Sequence, residues 1–168
     1  MESLKKKGIP IVIPGYPDTH LRYLVTNYKG TICCGDFLVP GVKERLIKLS
    51  EVLNVCIFTD GAFGTVREQL SGVTCELHQL HEDHQDEQKV CFVKSLGPLN
   101  ETAVMGNGNI DHLMLKLVRA GGGVAIAVDN GEGVSGRASD AAELSIHGSL
   151  NALDLLLDPR HLISTMRA

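Results

Sequence analysis

The feature that most constrains this chain is an alternation. Short apolar runs that end on a polar residue or a glycine are interleaved with segments whose apolar residues recur at helical spacing. Val55–Phe58, Thr102–Met105 and Val124–Val128 are such runs; without polar alternation they fit strands buried on both faces. Pro40-Gly41-Val42 opens a segment with Val42, Leu46, Leu49 and Leu53 on one side and Lys43, Glu44, Arg45 and Lys48 on the other, an amphipathic helix. Strands alternating with helices imply βαβ units. The expected fold class is therefore α/β, a Rossmann-like parallel sheet with helices on both faces and polar groups gathered at the C-terminal ends of the strands.

The remaining segments fit this frame. Ile9–Pro14 and His20–Thr26, joined by the turn-rich Gly15-Tyr16-Pro17-Asp18-Thr19, predict an N-terminal β-hairpin whose second run ends at Asn27 and supplies the first core strand. After Thr59, the turn Asp60-Gly61-Ala62-Phe63-Gly64-Thr65 leads into a helix to about Leu70, stopped by Gly72. Cys75–Leu80 reads as a strand, Glu82–Gln88 as polar chain, and Lys89–Leu96 as a helix capped by Gly97. His112–Arg119 predicts a helix ended by Gly121-Gly122-Gly123. Leu150–Leu157 and Pro159–Arg167 predict C-terminal helices, within about 149–167. With 168 residues and no linker, residues 1–168 are expected to form one domain.

Composition narrows the function classes. A formal charge of −4 gives no electrostatic case for nucleic acid, and 4% aromatic residues without Trp offer no base-stacking platform. Lys5-Lys6-Lys7 is followed by Ile9–Pro14, too short and too Pro-broken for a signal or membrane segment, so no membrane partner and a cytoplasmic location are expected. Five cysteines without a CxxC pair read as reduced thiols. Cys34, Cys56 and Cys91 are expected as small buried hydrophobes, and at most one of Cys33 and Cys34 can face a site at the sheet edge.

Four strand or helix starts place polar residues at that edge: Asn27, Thr59, Lys89 and the loop Gly106–Asp111. In this order, with Leu24-Val25-Thr26-Asn27-Tyr28-Lys29-Gly30-Thr31-Ile32 as the first motif, the chain resembles the haloacid dehalogenase-like (HAD) superfamily, and within it the small soluble proteins related to the phosphorylation domain of P-type ATPases. The resemblance runs from about Val25 to Arg167. It implies a first motif Asp-x-Asp/Thr-Gly-Thr whose first Asp is the phosphoryl-accepting nucleophile. Here Asn27 holds that place and Lys29 the acid/base place, before Gly30 and Thr31. It also implies Thr59 as the phosphoryl-binding residue of the second motif. Lys89, with Val93, Leu96 and Gly97, matches the third motif, a Lys opening a helix. The fourth, Gly-Asp-Gly-x-Asn-Asp, holds magnesium in the family and reads here Gly106, Asn107, Gly108, Asn109, Ile110, Asp111.

An amide oxygen is a poor, uncharged nucleophile, so Asn27 cannot form the aspartyl phosphate on which covalent phosphoryl transfer depends. Lys29 cannot act as a carboxylic acid would. Asp111, with Asn27 and Asn107 as weak remnants, is a poor magnesium site, so no cofactor is expected, or Mg²⁺ if activity survives. Asn27 alone would resemble a trapping substitution, but Lys29 and Ile110 depart from the pattern too, which points to degeneracy of the whole unit. An anion is expected on Gly30, Thr31, Thr59, Asp60, Lys89 and Gly108 without metal. The segments between Asn27, Thr59 and Lys89 are consumed by sheet-and-helix units, which leaves no room for a cap domain.

The expected function is a HAD-like protein, catalytically impaired, that binds or senses a small phosphorylated ligand or a protein partner. A weak Mg-dependent phosphatase using another carboxylate, such as Asp60, is the alternative, and a homo-oligomeric scaffold a third. Cys75, His78, His81 and His84 recur every three residues, yet no regular element gathers all four, and the acidic run around them reads as wet surface. Gly131-Glu132-Gly133 lacks the phosphate-loop form and reads as a turn.

Overall fold

The computed structural model describes residues 6–61 and 63–167; Lys5 and Ala62, which fall in two of the segments above, lie outside them. The strands are β1 Ile9–Ile11, β2 Thr19–Leu21, β3 Tyr23–Asn27, β4 Cys33–Cys34, β5 Phe37–Leu38, β6 Asn54–Thr59, β7 Glu76–Gln79, β8 Thr102–Gly106, β9 Val124–Asp129 and β10 Leu144–His147. The helices are α1 Val42–Val52, α2 Phe63–Gln69, α3 Gln85–Leu96, α4 His112–Ala120, α5 Gly136–Ala141, α6 Ser149–Leu157 and α7 Arg160–Met166.

Six strands form a parallel sheet in the order β10-β9-β8-β3-β6-β7. The chain starts at β3 in the middle, builds outward through β6 and β7, then returns to β8 and builds the other way. The reversal between β3 and β8 opens a crevice at the C-terminal ends of those strands.

The apolar runs are unalternated because the pleat distributes them over two cores. Leu24, Ile57, Met105 and Ile126 face a cluster with Leu46, Leu49, Leu153 and Leu156, on the side of α1, α6 and α7. Val25, Phe58, Val104 and Ala125 face Val93, Met114, Leu115 and Val118, on the side of α3, α4 and α5. Among the described residues no helix is long and apolar enough to cross a membrane.

The predicted hairpin exists, but its second run is two strands. β1 pairs antiparallel with β2, and at Arg22 the chain leaves that ribbon for the main sheet: Arg22 N–H donates to the Glu101 carbonyl at 2.8 Å and the Arg22 carbonyl accepts from Asn54 N–H at 2.9 Å. α5 and β10 are additional elements. α5 is capped by Ser135, whose hydroxyl accepts from Ala138 N–H at 3.0 Å, and β10 is a half-exposed edge strand whose weak pattern hides it in the sequence.

Two expectations about α3 are corrected. The helix begins at Gln85, so Lys89 sits in its second turn and not at its start; Asp86 and Glu87 in the first turn suit the positive end of the helix dipole. Gly97 has an extended φ of 162°, not a left-handed cap. A Cβ there would lie 3.0 Å from the Tyr23 ring, so close packing explains the glycine.

The cysteines also differ from expectation. Cys56 is buried and Cys33 and Cys34 face opposite ways, but Cys34 and Cys91 are exposed. All five thiols are free. Burial pushes the Cys56 thiol up to about 12, and Cys34 is raised by its hydrogen bond to the Glu132 carboxylate. Such thiols are the reverse of activated nucleophiles.

Candidate functional site

The parallel register brings the motifs together. Asn27 ends β3 beside Phe58, one residue before Thr59, while Gly106 ends β8 on the other flank of β3. From α3, Lys89 reaches into this junction. Its Nζ donates to Asp111 Oδ1 at 2.5 Å and to Asn27 Oδ1 at 3.2 Å, and lies 5.6 Å from the Phe58 ring centroid. Lys89 and Asp111 are both fully buried.

The other oxygen of Asp111 is engaged as well. Oδ2 accepts from the backbone N–H groups of Asn107 at 2.9 Å and Gly108 at 3.0 Å. Gly106 is required by this tight loop, because a Cβ there would sit 2.5 Å from Asp111 Cβ and Cγ. Asn27 completes the arrangement by donating from Nδ2 to the Lys29 carbonyl at 2.8 Å. A carboxylate could not make that last bond, so the amide at position 27 fits a network that an Asp would disrupt.

Thr31 and Asn107 form a strut behind the loops. The buried Thr31 hydroxyl donates to Asn107 Oδ1 at 3.2 Å. Gly30 has a φ of +73°, and a Cβ there would meet Asn107 Nδ2 at 2.4 Å. Asn130, after β9, binds the Thr31 carbonyl through Nδ2 at 2.7 Å and accepts from Ser149 N–H at 2.7 Å, joining the first-motif loop to α6.

The magnesium expected from the family pattern does not fit these residues. The site offers one carboxylate, both of whose oxygens already accept hydrogen bonds, with an ammonium against one of them. Asn27 Oδ1 accepts from the same ammonium and Asn107 Oδ1 from Thr31. A hard cation needs oxygens with free lone pairs and a negative field, and the local charge here is balanced by Lys89.

Open space lies to the side of this closed network. A cleft of about 430 Å³ is lined by Tyr28, Lys29, Asp36, Phe37, Thr59, Gly61, Thr65 and Val66. Thr59 is almost fully buried, and its Oγ1 accepts from Gly61 N–H at 3.2 Å. The Lys29 ammonium lies over this turn, within van der Waals reach of a Cβ built on Gly61.

Of the residues read from sequence, the structure puts Lys29 and Thr59 in the cleft, and Asn27, Lys89, Asn107, Gly108 and Asp111 in the buried network. Asp60 is exposed and outside the cleft lining. Lys89, the Gly108 N–H and Thr31 are already engaged within the protein. Sequence reading missed Asp36, Phe37 and Tyr28. The signal for the first two was the turn Gly35-Asp36 between two-residue strands, where Gly35 takes a φ of +63°.

His78, His81 and His84 do share a groove of about 520 Å³ with Glu87, Cys91 and Phe92. Among the described residues, however, no three His, Cys, Asp or Glu side chains converge to hold a metal ion.

No family model matches this chain, and no curated protein matches it by sequence. Its fold is shared with solved structures. The cobalt-bound deoxy-D-mannose-octulosonate 8-phosphate phosphatase of Haemophilus influenzae superposes with a TM-score of 0.60 at 15% identity, over 88% of this chain and 94% of that one. The 3-deoxy-D-manno-octulosonate 8-phosphate phosphatase of Moraxella catarrhalis, in complex with magnesium, phosphate and the sugar acid, gives 0.60 at 17% identity over 86% and 90%. A Legionella pneumophila protein assigned to the subfamily III A hydrolases of the HAD superfamily gives 0.58 at 16% identity over 87% of each chain. At these identities the likeness is one of architecture, and in architecture the chain has the haloacid dehalogenase-like fold.

Proposed function

We propose that this chain is a phosphate-binding module built on a HAD-like fold, in which aspartyl-phosphate chemistry has been lost and a small phosphorylated ligand is held without metal. The observation that carries the reading is the closed hydrogen-bond network of Asn27, Lys89 and Asp111. On this reading the places that the family pattern gives to a nucleophile and to metal ligands are taken up by that network. Among the described residues that line the cleft, the cation open to a ligand is Lys29, beside Thr59.

The test is a titration with inorganic phosphate in the presence of EDTA, followed calorimetrically. Saturable binding that Lys29→Met abolishes is the expected result. Binding that requires Mg²⁺, or no binding at all, overturns the reading.

A second reading is favoured by one observation: Asp36 stands in the same cleft as Lys29 and Thr59. A weak phosphatase could use that displaced carboxylate. Metal-stimulated hydrolysis across a phosphomonoester panel, lost in Asp36→Asn, would support it over the binding module.

A further inference from the structure

We propose that the cleft selects a phosphomonoester that also carries a cationic group, the class represented by phosphocholine and phosphoethanolamine. This rests on the phosphate-binding reading above and adds a second recognition element to it.

The cleft contains two opposite charges that do not neutralise one another. Lys29 and Asp36 both line it, and among the described residues neither takes part in an ion pair. A ligand with one charge satisfies one of them and is repelled by the other. A ligand with a phosphate at one end and a cation at the other satisfies both.

Phe37 adds the second observation. Its side chain is 70% exposed, the most exposed large apolar residue among those described, and it lines the cleft next to Asp36. An aromatic face beside a carboxylate is the combination that attracts an ammonium, above all a quaternary one, which is weakly hydrated and gains from the ring quadrupole. Tyr28 and Val66 line the cleft as well, and Val66 supplies apolar contact for methyl or methylene groups.

The hairpin that presents Asp36 and Phe37 is fixed at both ends. Gly35 N–H donates to Glu132 Oε1 at 2.6 Å, and Leu38 N–H donates to Gln69 Oε1 at 2.9 Å. The hairpin backbone that carries the two side chains is thus anchored before a ligand arrives, which lowers the ordering cost of binding.

The test compares phosphocholine, glycerol 3-phosphate, choline and inorganic phosphate by calorimetry in EDTA. Phosphocholine is expected to bind about tenfold more tightly than glycerol 3-phosphate, the scale of one partly exposed ion pair plus one cation–π contact. Asp36→Asn and Phe37→Ala should each pull that ratio toward one, and Lys29→Met should abolish binding of all three phosphates. Equal affinities in the unaltered protein would overturn the selectivity while leaving phosphate binding intact. An advantage that survives both hairpin substitutions would overturn the assignment to Asp36 and Phe37. Failure of inorganic phosphate and both esters to bind would overturn this proposal and the reading beneath it together.

Discussion

Lys89 Nζ lies 2.5 Å from Asp111 Oδ1, and both side chains are fully buried. The ammonium neutralises the carboxylate inside the protein, and the pair is part of the core. Removing one partner leaves an uncompensated buried charge and typically costs about 3–5 kcal/mol. Lys89→Met and Asp111→Asn should each lose stability on that scale in urea unfolding. The double variant should lose at least about 1 kcal/mol less than the sum, because the second change removes the orphan charge left by the first. Strict additivity would mean that the two groups are not coupled.

Introducing carboxylates should loosen this pair. An Asp at position 27 would compete for the Lys89 ammonium that Asn27 Oδ1 now shares with Asp111, and would have no proton to donate to the Lys29 carbonyl. The triple variant Asn27→Asp, Lys29→Asp, Ile110→Asn is therefore expected to gain weak, saturable Mg²⁺ binding absent from the parent, read by calorimetry. A folded variant that never binds Mg²⁺ would argue against the alignment of these motifs.

Two glycines separate backbone strain from steric conflict. Gly30 and Gly35 both have left-handed φ angles, +73° and +63°. A Cβ on Gly35 meets nothing within 4 Å, whereas on Gly30 it meets Asn107 Nδ2 at 2.4 Å. Gly35→Ala should cost about 1 kcal/mol for the conformation alone. Gly30→Ala should cost more by at least about 1 kcal/mol, since it also displaces the Asn107 side chain that accepts from Thr31. Equal losses in chemical denaturation would show that Asn107 moves aside freely.

The fold was legible because each buried strand is a short apolar run ending on a residue that cannot continue it, as Val55 to Thr59 illustrates. The meeting of Asn27, Lys89 and Asp111 was legible from order along the chain, since parallel strands deliver their C-terminal ends to one edge. What the sequence did not reveal is how those groups use one another. That Lys89 neutralises Asp111, and that Lys29 turns toward Thr59 and Gly61, are matters of side-chain direction, which spacing does not encode. Asp36 and Phe37 were hidden for another reason: two-residue strands carry no periodicity, so the hairpin that overhangs the cleft reads as loop. β10 escaped because half-burial at a sheet edge blurs the apolar pattern.

Tyr28 offers the last test. Tyr28 lines the cleft, and its buried hydroxyl has the Cys33 thiol beside it but no further hydrogen-bond partner among the described residues. Burial raises the phenol from 10.0 to about 12. A folded-state value above the unfolded one means that the native state holds its proton more tightly, so stability is fully present below pH 10 and is lost as pH rises toward 12. Cys56, also pushed to about 12 by burial, and the raised thiols of Cys33, Cys34 and Cys75 contribute in the same direction over a window that opens lower. Tyr28→Phe removes only the tyrosine part. The variant should match the parent at neutral pH to within about 1 kcal/mol, because the hydroxyl it deletes has only a weak thiol partner and leaves no cavity. It should also lose less stability than the parent between pH 10 and pH 12, with the residual decline belonging to the thiols. Urea unfolding at pH 7, 10 and 11.5 measures both effects. A loss of more than about 1 kcal/mol at neutral pH would show that the hydroxyl has a stronger partner than the thiol, and an unchanged alkaline decline would show that Tyr28 does not titrate in that window.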